Sequence, residues 1–265
     1  MTKQFFSFQM SSCHHSGIFE GREVCIRKFQ LHELGSEQSV DELAETLTLY
    51  SAVDHPLITQ FFGVFRIGLN LYVVSEFMKG GSLTDVIQSA SVALPQKTMI
   101  KLAKQVCRAM HFLHSRKKPN PNGILHGHLT SSNILLDATG TNVKIGDVGS
   151  SRVTTCSELA FLGQREMGFA APEVLGGEVL TAASEVYAFG MVLWHMIYLQ
   201  VPHAGKSVED IRKVTQNQAL PLTLDPRPGI EPRVLEIIKS CWLKNPTERP
   251  TFEALYKKFE ESFAL

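Results

Sequence analysis

Short apolar and alternating runs dominate the first part of the chain. They cover residues 5–10, 17–29, 60–67 and 71–77, and glycine, asparagine or polar clusters separate them. Runs of this length and texture predict β-strands, and together they predict an antiparallel sheet. Between the second and third runs, apolar residues recur at helical spacing over residues 39–53, with a serine placed to cap the first turn. One helix is therefore expected beside the sheet.

The pattern changes to a helical period after Gly80 and Gly81. Helical patterns cover residues 96–115, 181–199, 208–216, 233–243 and 252–263. Two short β segments, 133–136 and 143–145, are joined by the turn sequence DATGT and predict a small hairpin. The expected fold class is α+β, with an N-terminal antiparallel sheet and one helix followed by a mainly helical part. We expect residues 1–78 and 79–265 to be the two lobes of one domain.

Composition excludes several classes of function. The 265 residues are 44% hydrophobic, which is enough to bury a large core, and 26 basic residues balance 26 acidic ones. A chain with no net charge has no global attraction for nucleic acid or anionic lipid. The longest apolar run, residues 186–199, is shorter than the roughly 20 residues of a membrane-spanning helix, and no secretion signal is present. These features, with five scattered cysteines, predict a cytoplasmic protein that neither binds nucleic acid nor inserts into membranes.

Six short motifs follow one another along the chain. They read LYVVSEFMKGGSL, ILHGHLTSSNILL, VKIGDVG, FAAPEVL, ASEVYAFGMVLW and CWLKNPTERPTF. In this order the chain resembles protein kinases, in which such motifs form the hinge, the catalytic loop, the metal-binding loop, the end of the activation segment and two C-terminal helices. The resemblance is closest to the tyrosine-kinase-like group and covers essentially the whole chain. It implies a bilobal kinase-like fold with a nucleotide cleft between the lobes.

The resemblance also implies which residues would line that cleft. Ser75 takes the gatekeeper position, and Arg27 takes the position of the lysine that holds the phosphates. Arginine is longer and planar, so this change is not conservative. Cys25, where the family has alanine, adds bulk above the adenine. The positions implied for nucleotide binding are Ile18, Cys25, Arg27, Ser75, Glu76, Met78 and Leu135.

The loop that covers the phosphates in the family has lost its glycines. Ser11, Cys13 and Ser16 stand at the three positions. Glycine is used there because the backbone must approach the phosphates closely and adopt conformations that side chains disfavour. We therefore expect a plain hairpin between the first two strands and a poor phosphate lid.

The glutamate that pairs with the family lysine is also displaced. Its position falls on Thr46, with Glu45 adjacent and Glu42 one turn earlier. A shift of one residue rotates a helical side chain by about 100°. Glu45 would need a change of register to reach Arg27, and the alternative is that both glutamates lie on a solvated face.

The catalytic loop carries no intact catalytic residue. His128 stands where the family has the aspartate that accepts the substrate proton, and Gly127 replaces an arginine. Loss of a general base costs about 10²- to 10⁴-fold in rate. A neutral imidazole at His128 is the alternative proton acceptor, because histidine titrates near neutrality. His126 is expected to be a packed structural residue.

Other family positions are kept. Asn133 and Asp147 match the two residues that hold Mg²⁺, although Val148 replaces the phenylalanine that follows the aspartate. The alternative for Asp147 is that it caps local backbone amides. The resemblance implies a structural ion pair between Glu173 and Arg249. Glu185 takes the place of the aspartate that ties down the backbone of the catalytic loop. Glu166 occupies the position of a family threonine, and this change weakens any expectation of a peptide substrate.

These residues leave three functional hypotheses open. The leading one is a pseudokinase domain that regulates or scaffolds other signalling proteins, an active kinase or further domains of its own chain among them. The second is a divergent kinase that uses ATP on Ser/Thr or Tyr substrates, and the third is a switch that binds nucleotide and moves the 39–53 helix. No cofactor is certain under these hypotheses, and ATP with Mg²⁺ is the one candidate.

Overall fold

The structure is a computed structural model that describes residues 9–11, 14–30, 53–67, 70–90, 94–116, 123–148, 167–217 and 219–263. The predicted 39–53 helix, apart from its last residue, lies outside these ranges. Residues 149–166 also lie outside these ranges.

Among the described residues, five strands form one antiparallel sheet. The strands are β1 (Gln9–Ser11), β2 (His14–Phe19), β3 (Arg22–Gln30), β4 (Phe61–Ile67) and β5 (Asn70–Glu76), in the spatial order β1-β2-β3-β5-β4. Glu20 and Gly21 join β2 to β3 with φ angles of 49° and 75°. Two consecutive positive φ angles are typical of the tight turn that matches the twist of a hairpin. Strand pairing places Cys25 of β3 between Ser16 and Ser75.

The C-terminal part is mainly helical. Its helices are α1 (Leu83–Ser89), α2 (Gln96–Ser115), α3 (Pro172–Leu175), α4 (Ala182–Tyr198), α5 (Val208–Asn217), α6 (Pro232–Cys241) and α7 (Phe252–Ser262). Helix α4 lies at the centre, and its residues from Ser184 onward are buried. Thr181 and Ser184 form a capping box that satisfies backbone N–H groups at its start. A helix that is apolar on all sides must be surrounded by other elements, as α4 is.

A small hairpin connects the helical part to the sheet. It consists of β6 (Ile134–Leu136) and β7 (Val143–Ile145), and the Asp137 carboxylate fixes the turn by accepting the backbone N–H groups of Thr141 and Asn142. On its other edge, β7 bonds the chain that leads into β4. The Thr59 N–H donates to the Ile145 carbonyl at 2.9 Å, and the Ile145 N–H donates to the Leu57 carbonyl at 2.8 Å. These two bonds connect the hairpin, and with it the residues that follow Ile145, to the chain that enters β4.

The predicted fold class is confirmed: an antiparallel sheet is followed by a mainly helical part, consistent with a bilobal arrangement. The predicted run 17–29 is divided into two strands by the turn at Glu20 and Gly21. Ser11 and Ser16 lie in paired strands, as a plain hairpin requires. Helix α3 was not predicted, because it is too short to show a helical period.

The described helices include none that combines the length and the apolar character needed to cross a membrane.

Candidate functional site

The roof of the cleft is formed by neighbouring residues of β3 and β5. The Cys25 thiol is hydrogen-bonded to the side chain of Ser75, directly opposite on the next strand. Burial raises the pKa of this thiol to about 11, and the nearby Asp147 carboxylate acts in the same direction. Ile18, at the end of β2, is 44% exposed. The inner roof therefore carries a neutral thiol and a hydroxyl instead of the apolar surface that an alanine would give.

In the hinge after β5, the Glu76 side chain is hydrogen-bonded to another described residue and the Met78 backbone N–H is not. The Glu76 carboxylate accepts two hydrogen bonds from Lys144 Nζ, at 2.7 and 2.8 Å, so it is turned away from the cleft toward β7. The Met78 carbonyl accepts the Gly81 N–H at 3.2 Å, while no described residue accepts the Met78 N–H. A backbone amide at this edge can therefore donate to a ligand.

The floor of the cleft includes Leu135 on β6. Its side chain packs over Gly146, where an added Cβ would lie 3.1 Å from Leu135 Cδ1. Leu135 therefore stands directly beside the backbone that leads into Asp147.

Arg27 and Asp147 form an ion pair across the cleft. The Arg27 guanidinium contacts the Asp147 carboxylate through Nη1 and Oδ2, and the two side chains are 21% and 16% exposed. Asp147 has a φ of 57°, a left-handed conformation that aspartate tolerates better than most residues. The sequence predicted that both residues face the cleft, but it did not predict that they contact each other. An ion pair that is this buried is screened much less by solvent than a surface pair.

The arrangement of Asn133 and Asp147 does not fit Mg²⁺. The ion needs near-octahedral oxygen ligands at about 2.0–2.1 Å. The Asp147 carboxylate already contacts a guanidinium, and a divalent cation bound there would lie against a fixed positive charge. The Asn133 amide is turned so that Nδ2 bonds the His128 carbonyl at 2.8 Å. In this arrangement, Asn133 and Asp147 would offer a metal ion one amide oxygen and one carboxylate whose charge Arg27 neutralises.

His126 holds the catalytic loop against the metal-binding loop. It is fully buried, its Nε2 donates to the Gly146 carbonyl at 2.7 Å, and its Nδ1 accepts the His128 N–H at 3.1 Å. These two bonds fix a neutral imidazole with the proton on Nε2. Burial lowers the pKa of His126, which favours the same neutral form.

Glu185 of α4 holds the next residue of the loop. Its side chain is 2% exposed, one carboxylate oxygen accepts the Gly127 N–H, and the other lies 2.6 Å from Nε2 of His114 on α2. Gly127 has a φ of 84°, which a residue with a side chain would adopt only under strain. The sequence did not indicate His114, because a histidine near the end of a helix has no distinguishing pattern.

The imidazole of His128 is bonded to Asn133 within the loop. The His128 side chain is buried, and its Nδ1 lies 3.2 Å from Asn133 Nδ2. A carbonyl oxygen only accepts, so the bond to the His128 carbonyl identifies Nδ2 as the amide donor. Nδ1 of His128 is then the acceptor, and the ring proton resides on Nε2. His128 and Asn133 are thus hydrogen-bonded to each other.

A buried chain of polar side chains lies below this loop. The Ser131 hydroxyl is 2.8 Å from Nδ1 of His195 and 2.7 Å from the Thr84 hydroxyl, which also lies 3.1 Å from the Ser132 hydroxyl. Burial lowers the pKa of His195 to about 4, so the imidazole is neutral at physiological pH. These hydrogen bonds link α1, the catalytic loop and α4. They were not predicted, because the residues that form them are far apart along the chain.

Glu173 and Arg249 form an ion pair away from the cleft. Arg249 donates to the two carboxylate oxygens of Glu173 at 2.6 and 3.0 Å, and it also donates to the carbonyls of Leu243 and Ala183. The guanidinium lies 5.1 Å from the ring centroid of Tyr187. The contact joins α3 to the loop before α7 and is remote from the residues of the cleft.

The structure thus brings the predicted site residues into two groups. One is a series of contacts, Cys25 with Ser75, Arg27 with Asp147, and His128 with His126 and Asn133, and the other is the pair formed by Glu173 and Arg249. Beside the first group, Glu185 accepts the Gly127 N–H, Glu76 bonds Lys144 and Leu135 packs on Gly146. Their functional roles stay predictions. The predictions made for Cys13, Glu42, Glu45, Thr46 and Glu166 fall outside the described residues.

Comparison with known proteins decides the family. A sequence profile of the protein tyrosine and serine/threonine kinase family matches residues 10–259, which include both groups of site residues. The chain belongs to the protein kinase family. The residues described above therefore lie within a protein kinase domain.

Individual relatives are serine/threonine kinases by name. A probable serine/threonine-protein kinase of Dictyostelium discoideum is 30% identical over 93% of this chain, and serine/threonine-protein kinase CTR1 of Arabidopsis thaliana is 30% identical over 91%. A putative serine/threonine-protein kinase/receptor of Acanthamoeba polyphaga mimivirus is 31% identical over 90%. The chain spans only 26%, 29% and 14% of these three proteins, respectively. The similarity therefore concerns less than a third of each relative's length.

Proposed function

We propose that this kinase domain is a pseudokinase that regulates or scaffolds other signalling proteins, with absent or weak ATP binding. One observation carries the proposal. At the position where kinases have the aspartate that accepts the substrate proton, the Nδ1 of His128 already accepts a hydrogen bond from Asn133.

The chemistry of phosphoryl transfer explains why this contact matters. A kinase positions the nucleotide, neutralises its charge with metal ions and provides a carboxylate beside the substrate hydroxyl. In the observed arrangement, Nε2 of His128 carries the ring proton and can only donate. A proton taken up at Nδ1 would break the bond to Asn133. The same contact turns the Asn133 amide group toward His128.

The opposite side of the cleft supports the same proposal. Arg27 occupies the Asp147 carboxylate, so the second metal position is also engaged within the protein. The neighbouring loop is well supported, since Glu185 and His126 are buried and bonded to backbone groups. A domain with an ordered surface and an occupied catalytic centre suits binding to partner proteins better than turnover.

A phosphate-transfer assay tests the proposal. The full chain is incubated with radiolabelled ATP and either Mg²⁺ or Mn²⁺, together with generic Ser/Thr and Tyr substrates, and incorporation into the protein itself is also measured. We expect no incorporation above that of an Asp147→Ala variant. Transfer by the wild-type chain that this variant loses would overturn the proposal.

The rival function is a divergent kinase, the activity that the names of the relatives give to those proteins. It requires His128 to accept a proton despite its bond to Asn133. A His128→Phe variant distinguishes the two, since it removes both ring nitrogens but keeps an aromatic ring of similar size. Phosphate transfer by the wild-type chain that is absent in His128→Phe supports the rival. Absence of transfer by both the wild-type chain and His128→Phe supports the pseudokinase.

Partner binding needs a separate measurement. Crosslinking followed by mass spectrometry, applied to the longest natural form of the chain in its cell of origin, would identify contacts with an active kinase or with other domains. We expect specific crosslinks that persist in Asp147→Ala, because a scaffold does not need transfer chemistry. Absence of any specific partner would argue against the regulatory part of the proposal.

A further inference from the structure

The solvent-facing side of α2 carries basic but no acidic residues. Lysine, arginine and histidine recur on it every three or four positions, and the 20 residues of the helix include no Asp or Glu. Residues three and four apart lie on one face of a helix, so these side chains form one stripe. We call this stripe the basic face of α2, and it consists of Lys97, Lys101, Lys104, Arg108 and His111. All of them are exposed except the partly buried Lys104.

A carboxylate of the protein itself already contacts this face. Lys104 forms an ion pair with Glu260 of α7, and its side chain is 17% exposed. Lys97, Lys101 and Arg108 form no ion pair within the part of the chain that the structure describes. At 1.5 Å per residue, the rise from Lys97 to Arg108 is about 17 Å. Three cations without a counterion among the described residues therefore lie along three turns of one helix.

The pattern is unfavourable for the helix by itself. Like charges at i, i+4 repel each other, and Lys97 and Lys101 have this spacing, as do Lys104 and Arg108. Lys97 also lies in the first turn, where the helix dipole favours an acidic residue, and that turn has none. The other surface helices of ten or more residues, α5, α6 and α7, each carry both signs of charge. A single sign of charge gives no advantage to a face that is only solvated, whereas it favours binding of a partner of the opposite charge.

The surroundings of the face favour an acidic protein segment over other anions. A membrane-binding helix needs an apolar side that can enter the lipid, but the apolar side of α2 is buried in the core. Single-stranded nucleic acid binds by stacking its bases on aromatic side chains. The phenylalanine of α2, Phe112, is instead stacked on His55 with 4.3 Å between ring centroids, and the Arg116 guanidinium lies 5.0 Å from its ring centroid. Glu260 shows the contact that suits this face, a carboxylate presented by a neighbouring helix.

We propose that the basic face of α2 binds an acidic segment of a partner protein, whose carboxylates lie opposite Lys97, Lys101 and Arg108. Asp or Glu at every third or fourth position of a helical segment would match the spacing of the three cations. None of the residues of the basic face belongs to the contacts of the candidate site. The proposal therefore goes beyond the proposed function and does not depend on whether the domain transfers phosphate.

Fluorescence anisotropy of a labelled peptide tests the proposal on the full chain. The probe is a helical peptide of about 16 residues, long enough to span the basic face, with glutamate at every third or fourth position among alanines and glutamines. A second peptide has glutamine in place of each glutamate. We expect the acidic peptide to bind and the neutral one not to bind. The affinity should fall by about tenfold or more between about 0.05 and 0.5 M salt, because salt screens exposed charges.

Reversal of charge identifies the face that binds. Lys97→Glu, Lys101→Glu and Arg108→Glu together should weaken binding by about tenfold or more, because three exposed ion pairs each contribute a modest share. The matched control makes the same change in net charge by reversing two exposed lysines and one exposed arginine of α5 and α6, namely Lys213, Lys239 and Arg233. Circular dichroism verifies that each variant is folded. If the reversed chain does not fold, glutamine replaces the three residues of the basic face.

The outcomes decide between this face and the alternatives. Binding that the basic-face variant loses and the control keeps supports the proposal. Failure of the wild-type chain to bind the acidic peptide at low salt, or an equal loss in the two triple variants, overturns it. Vesicles of phosphatidylcholine with phosphatidylserine and a single-stranded oligonucleotide are titrated in the same way. If either binds more tightly than the peptide through the same three residues, the partner is not an acidic protein segment and the proposal is wrong.

Failure here is distinguishable from failure of the proposed function. Phosphate transfer is measured separately, so loss of the peptide-binding proposal leaves the pseudokinase proposal standing. Transfer by the wild-type chain would overturn the pseudokinase proposal and leave the basic face of α2 as a binding surface.

Discussion

The ion pair between Arg249 and Glu173 is the contact whose removal has the most predictable consequence. The Arg249 side chain is 0% exposed and that of Glu173 is 9% exposed. Replacing Arg249 with methionine keeps much of the apolar stem and removes the guanidinium. The Glu173 carboxylate would then keep only the Ser184 hydroxyl as a side-chain donor, at 3.0 Å, and the carbonyls of Leu243 and Ala183 would lose theirs.

The expected loss follows from the burial of the pair. Removing one partner of a buried ion pair costs about 3–5 kcal/mol, because the other charge remains buried and uncompensated. For a domain of this size, each kcal/mol corresponds to about 2–4 °C in melting temperature, so Arg249→Met should melt roughly 6–20 °C lower. Burial alone would raise the pKa of Glu173, but the hydrogen bonds and charge of Arg249 outweigh it and hold the pKa below its usual range.

The pH dependence of the effect provides a second check. A carboxyl whose pKa is lower in the folded state contributes stability above its unfolded pKa of about 4.3, and this contribution is lost as the pH falls through the folded pKa. The difference in unfolding free energy between wild type and Arg249→Met should therefore shrink in acid.

The assay is urea unfolding followed by circular dichroism at several pH values. Lys257→Met is the matched control, because its ion pair with Glu253 is exposed, with side chains 65% and 51% accessible. An exposed pair of this kind contributes little to stability, because solvent screens it. The reasoning is refuted if Arg249→Met folds and loses no more stability than the control.

Three further predictions concern the core and the cleft. Gly190→Ala should destabilise the fold by about 1–3 kcal/mol in urea titration, because the new Cβ would lie 2.6 Å from Nε1 of Trp242. Burial lowers the pKa values of His195 and His203 to about 4, so the unfolded chain binds more protons than the folded one between about pH 6.5 and 4. Unfolding free energy should fall as the pH falls through this window, and replacing both histidines with leucine should flatten the slope. Cys25, whose pKa is raised to about 11, should be alkylated slowly at neutral pH, as measured by mass spectrometry, and a fast reaction would contradict its burial.

Much of the fold was predictable because its elements are long and periodic. The bounds predicted for α2 agree with the structure, and those for α4 differ by one residue at each end. Both helices carry clear apolar patterns that span several turns. The short helix α3 shows why prediction fails elsewhere: its four residues span little more than one turn, which is too short for a periodic pattern.

The candidate site was predictable as a set of positions but not as a set of contacts. Motif order located Arg27, Asp147, His128 and Asn133, because each has a fixed place in the family pattern. Their pairing depends on which rotamers the folded cleft allows, and a one-dimensional pattern does not contain that information. The contact between His114 and Glu185 was missed for the same reason, since it joins helices that are distant in the sequence.

The two cleft contacts act on different requirements of phosphoryl transfer, and this determines what a reversion can achieve. His128→Asp would supply a carboxylate next to the Asn133 amide, but Arg27 would still occupy Asp147. Arg27→Lys alone would leave the proton acceptor missing. We therefore expect no transfer from either single variant, and we regard the double variant as the smallest change from which metal-dependent transfer could return. If His128→Asp alone transfers radiolabelled phosphate, then the Arg27 contact yields readily to a metal ion, and the missing base was the only defect.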